Sequence, residues 1–107
     1  MEEALNEKIE YLKTYRTSTA KIKRVRQMME DCPEYRDRYS AMLKSAQNTR
    51  IKLEDEIDSV DGGILSEILS QKYICGKSLE EVGYCVNYSK RQVERLHLKA
   101  LEKFKIT

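Results

Sequence analysis

Tryptophan is absent, phenylalanine and histidine occur once each, and the 107-residue chain holds one proline and four glycines. So few helix breakers leave little material for a turn-rich, strand-based fold and favour long helices. Histidine and cysteine are too sparse for a metal cluster: Cys32, Cys75 and Cys85 lack ligand spacing and read as free thiols in a reducing compartment. No apolar run approaches the roughly 20 residues of a membrane span, and no signal peptide is visible, so a cytoplasmic protein is expected, with no membrane partner. Phosphate loops and nucleophile elbows are missing too. The lone His97, one turn from Glu94, reads as a partly buried helix residue and not as a base, so neither an enzyme nor a cofactor is expected. A formal net charge of +2 does not by itself argue for nucleic acid.

What is present is 36% charged and 40% hydrophobic residues, the latter at helical spacing. The expected fold is all-α: an N-terminal long antiparallel helical hairpin, coiled-coil-like, over residues 1–60, and a C-terminal three-helix module over 61–107. The first helix is expected from Met1 to about Met29, with Leu5, Ile9, Leu12, Tyr15, Thr19, Ile22, Val25 and Met29 on one stripe. Asp31-Cys32-Pro33 breaks it, with Asp31 or Cys32 as the next N-cap and Pro33 in the first turn. The second helix should run to Val60 with Tyr35, Tyr39, Met42, Ala46, Thr49, Leu53, Ile57 (or Glu56) and Val60 inward. Two helices alone bury little, so the hairpin is expected to pair with a second copy, as a homodimer or higher homo-oligomer, or to pack on the C-terminal module. Its tyrosines Tyr11, Tyr15, Tyr35 and Tyr39 are read as packing residues.

Residues 1–60 carry 12 basic and 12 acidic side chains, yet Lys13, Arg16, Lys21, Lys23, Arg24 and Arg26 form a run free of acids. Such runs are usually solvated faces; contact with phosphate or an acidic partner is the functional alternative. Asp61-Gly62-Gly63 is the expected boundary and swivel. Beyond it, Leu65, Ile68, Leu69 and Tyr73 mark a helix from Ile64 to about Ile74, closed by Gly76.

The last segment carries the functional signal. Ser78 with Glu81, and Ser89 with Gln92, are two capping boxes that fix the starts of two short helices. Asn87-Tyr88 is the turn between them, since Asn tolerates the left-handed region. Leu79, Val82 and Val86 of the first, and Val93, Leu96, Ala100, Leu101 and Phe104 of the second, should form a common core. Lys90, Arg91, Glu94, Arg95, Leu98 and Lys99 then point outward. From Asn87 to Thr107 there are six basic and two acidic residues, a net of +4 against zero in the hairpin. This is the pattern of a helix-turn-helix whose second helix enters the major groove. A helical bundle with a basic solvent face satisfies the same periodicity.

The stretch YICGKSLEEVGYCVNYSKRQVERLHLKALEKF resembles region four of bacterial sigma factors, through Val93, Leu96, Lys99, Ala100 and Leu101, the Ser-Leu-Glu-Glu-Val opening and the Tyr-Ser turn. The chain as a whole resembles small phage and prophage late-gene regulators of the RinA and ArpU type. The resemblance implies double-stranded DNA as partner, with the family's contacting positions falling on Ser89, Lys90, Arg91, Glu94 and Arg95; Ser78, Tyr88, Gln92 and Lys99 complete the expected DNA-binding set. Arg91, Glu94 and Arg95 stand where sigma factors typically have Glu, Arg and Gln, so the target differs from the ordinary promoter element. No counterpart of the promoter-melting region is visible. A sequence-specific transcriptional regulator is the leading expectation. The alternatives are a sigma-like adaptor docking on RNA polymerase and a small-terminase-like DNA-packaging subunit.

Overall fold

The computed structural model describes residues 2–106, and among them there are helices and no strand. The order is α1 (Glu2–Asp31), a 3-10 turn (Pro33–Tyr35), α2 (Arg36–Asp58), α3 (Gly63–Leu69) continued by a π-helical turn (Ser70–Ile74), α4 (Leu79–Val86) and α5 (Lys90–Lys103). The molecule is elongated, about 52 × 27 × 22 Å. The all-α expectation holds. Cys32 occupies the N-cap position before Pro33, but its side chain makes no cap bond, and the 3-10 turn delays α2 until Arg36.

Helices α1 and α2 run antiparallel. Tyr11 donates to Glu56, and the Tyr15 hydroxyl lies 2.6 Å from Glu54 Oε1 and 3.0 Å from Arg50 Nη2. Leu12, Tyr15, Ile22, Val25, Ala46, Leu53 and Ile57 are buried as the stripes require. Three expected stripe positions are not: Thr19, Thr49 and Tyr35 are exposed. At the level of Thr19 the Arg50 guanidinium lies over the Tyr15 ring, 5.0 Å from its centroid, and takes up the seam. The two threonines turn their hydroxyls to the carbonyls of Tyr15 and Ser45, which satisfies them locally on the helix surface. Tyr35 sits in the 3-10 turn with its ring against Tyr39, centroids 6.2 Å apart, outside the helical stripe. At the other end both Glu56 and Ile57 are buried.

One apolar cluster crosses the glycine pair. Leu12, Tyr15, Leu53, Ile57 and Val60 of the first half pack with Leu65, Leu69, Tyr73, Ala100, Leu101 and Phe104 of the second. Gly62, at φ 91°, supplies the left-handed residue that reverses the chain there. Ser66 Oγ then donates across the break to the carbonyl of Ile57, at 3.1 Å. A smaller cluster, Ile68, Val82 and Val93, binds α3, α4 and α5 together. Helix α1 also holds the far end of α5: Lys8 Nζ reaches the carbonyl oxygens of Leu101 and Glu102, at 2.8 and 3.3 Å. A cation there answers carbonyls that have no partner within the helix.

Candidate nucleic-acid interface

Both capping boxes close. Ser78 accepts from the Glu81 amide while Glu81 accepts from the Ser78 amide, and Ser89 and Gln92 do the same for α5. Between the helices Asn87 is left-handed, at φ 62° and ψ 40°. The amides of Asn87 and Tyr88 both return to the carbonyl of Gly83, which ends α4 in a tight reversal. The turn therefore has little freedom, and α5 leaves it in one direction.

Gly83 is a further residue on which the site depends. A Cβ built there would lie 2.8 Å from the Tyr88 carbonyl oxygen and 3.5 Å from Val93 Cγ2. Only a residue without a side chain allows α4 to approach the turn and α5 this closely. The available signal was a lone glycine inside an amphipathic helical segment, which points to close packing.

The site residues fall into two places. Lys90, Arg91, Gln92, Glu94, Arg95 and Lys99 are exposed along α5, with Tyr88 and Ser89 exposed at its start. Tyr88, Gln92, Arg95, Leu96 and Lys99 line one shallow groove, while Arg91, Glu94, Arg95 and Leu98 line the surface beside it. Arg95 belongs to both. Ser78 stands apart, at the opposite end of α4 and roughly 12 Å along an eight-residue helix. The side chains of Ser78, Ser89 and Gln92 are engaged in capping, whereas Lys90, Arg91, Arg95 and Lys99 have no hydrogen-bond or ion-pair partner among the described residues. Leu98 is 51% exposed, so the face also offers apolar contact.

Behind this face the helix is held by a polar pair within the core. The Tyr73 hydroxyl and His97 Nε2 are 2.8 Å apart, and the rings stack with centroids 5.8 Å apart. Burial, with a smaller contribution from the Lys72 ammonium, lowers the imidazole to about 4, and burial pushes the Tyr73 phenol up to about 12. Both are thus neutral at physiological pH, and His97 is a buried structural residue. The sequence points to a partly buried residue, and the spacing of four from Val93 and three from Ala100 puts it on the inward face.

Among the described residues, no group of His, Cys, Asp and Glu could hold a metal ion and no helix is long and apolar enough to cross a membrane. Comparison of the chain with protein-family models, with curated proteins and with solved structures gives no significant match, so the face is read from its own residues.

Proposed function

We propose that the chain is a sequence-specific double-stranded-DNA-binding transcriptional regulator of phage or prophage type, with α4 and α5 as its helix-turn-helix. The observation that carries this is the pair Arg91 and Arg95, exposed and unpartnered on successive turns of a helix whose start is fixed by a closed capping box. Four residues of helix rise about 6 Å, close to two base-pair steps of roughly 3.4 Å, so the two guanidinium groups suit bases two steps apart. Each can donate two hydrogen bonds to guanine, Glu94 between them can accept from cytosine, and Leu98 can meet a thymine methyl. Lys90, Lys99, Tyr88 and the start of α5 at Ser89 fit backbone contacts that set register. The resemblance to sigma region four supports the same placement of α5 in the major groove.

The hairpin is the proposed self-association element, and Tyr35 and Ile51, 51% and 56% exposed, are the apolar positions it leaves open. The exposed Leu98 favours one second reading, in which this face docks on RNA polymerase. Selection from random and genomic duplexes at two salt concentrations separates the two. An enriched motif, lost in an Arg91→Ala/Arg95→Ala double variant, is the expected result. Purified polymerase captured without DNA, and no duplex bound, would overturn it in favour of docking.

A further inference from the structure

The basic run of α1 has a definite place on the fold. At 100° per residue, Lys13, Arg16, Lys23 and Arg24 fall within about one third of the helix circumference, across the helix from the buried Tyr15, Ile22 and Val25 and bordering the buried Leu12. From Lys13 to Arg24 they extend roughly 16 Å along the axis. All four are exposed, and among the described residues only Lys13 has an acidic partner, Glu10 at 3.5 Å.

Arg16 joins this stripe to the DNA-reading half. A Cβ on Gly76, whose φ is +75°, would meet the Arg16 guanidinium carbon at 3.2 Å. Gly76 and Lys77 lead directly into the Ser78 cap of α4, the helix that crosses the DNA backbone in a helix-turn-helix. That end of α4 is poorly suited to phosphate on its own, because its first turn carries Glu80 and Glu81. Lys77 is occupied with Gln71 and Cys85. Lys77 keeps its charge through these bonds to neutral groups, and α1 adds further positive charge for a backbone strand passing this end.

We infer that the Arg16, Lys23 and Arg24 stripe of α1 is a second phosphate-contacting surface, which carries the DNA backbone away from α4 along the hairpin. The inference rests on the helix-turn-helix reading and extends its footprint; it adds affinity without adding sequence preference, because the stripe faces phosphates and no base edge.

The test compares the full chain with an Arg16→Gln/Lys23→Gln/Arg24→Gln triple variant, whose exposed substitutions suit a helix, on a mixed-sequence 40-base-pair duplex. Circular dichroism first checks that both are equally folded. Three lost phosphate contacts should lower the slope of log affinity against log salt by about 2–3 units, with the selected motif unchanged. The gap between the two proteins should shrink on a duplex too short to reach α1. An unchanged slope would overturn the inference and leave the α5 reading intact, provided Arg91→Ala/Arg95→Ala still loses the motif. An unchanged slope with self-association lost in the triple variant would overturn it in favour of a second copy, whose exposed Glu3, Glu7 and Glu10 are the complementary acids. A wild-type chain that binds no duplex would overturn both readings together.

Discussion

The Tyr73 hydroxyl and His97 Nε2, 2.8 Å apart in the core, tie the π-helical turn after α3 to the middle of α5. His97 is held at about 4 in the fold, below the ordinary 6.5, so the unfolded chain takes up a proton first as pH falls. Stability from this residue is full above pH 6.5 and is lost as pH drops through that value towards 4. The loss is on the order of 2–3 kcal/mol across the window. Thermal melts from pH 7.5 to 4.5 should show it, and His97→Gln, whatever its Tm, should flatten the slope. An equally steep profile in that variant would assign the acid sensitivity elsewhere.

Alkaline conditions act on the tyrosines with the opposite sign. Tyr11 is raised to about 12, mainly by burial and then by its hydrogen bond to Glu56, and Tyr73 to about 12 by burial. The unfolded chain ionises near 10 while these folded phenols stay neutral, so stability falls as pH rises from 10 through 12. Spectroscopic titration of the phenolates should coincide with loss of helix in this range. Early, smooth ionisation of all seven tyrosines with helicity intact would contradict it.

Gly83→Ala sets two effects against each other. Alanine gains about 1 kcal/mol of helix propensity over glycine, whereas overpacking costs about 1–3 kcal/mol. The Cβ would stand 2.8 Å from a backbone oxygen, which has little room to yield, so the clash should win by about 1 kcal/mol. DNA affinity should fall as well, since α5 is displaced relative to α4. A higher Tm in the variant would show that the turn can relax.

Ser89 separates folding from binding. Ser89→Ala should cost about 1 kcal/mol through loss of the cap. Ser89→Asp keeps a capping oxygen and suits the positive end of α5, so its Tm should stay near wild type. It places a carboxylate where a phosphate is expected, and binding should weaken at least tenfold. Equal affinity of Asp and Ser variants at low salt would remove the start of α5 from the interface.

The C-terminal half was legible because its signals are local. Each capping box lies within four residues, Asn87 marks its own left-handed turn, and Val93, Ala100, Leu101 and Phe104 repeat on one face, all of them buried. What escaped the sequence depends on neighbours distant in the chain. Thr19 and Thr49 fit the stripe by spacing but face solvent, because Arg50 and Tyr15 fill the seam between them. The π-helical turn from Ser70 to Ile74 has no residue signature; the segment carries neither glycine nor proline. The exposed cations of α5 were legible as a face, and so was the run in α1. That Arg16 brings α1 to the entrance of α4 was not, because it depends on how the hairpin lies on the module.

Lys8 gives the beginning of the chain an unexpected hold on its end. Its ammonium rests on the last carbonyls of α5, 93 residues away at Leu101, so the helix carrying the candidate DNA contacts is fastened at both ends by unlike means. A serine closes the front and a borrowed lysine closes the back. For anyone editing this protein, the first turns of α1 are not a neutral handle: trimming them, or crowding them with a fusion partner, loosens the rear clasp of an element almost a full chain length downstream.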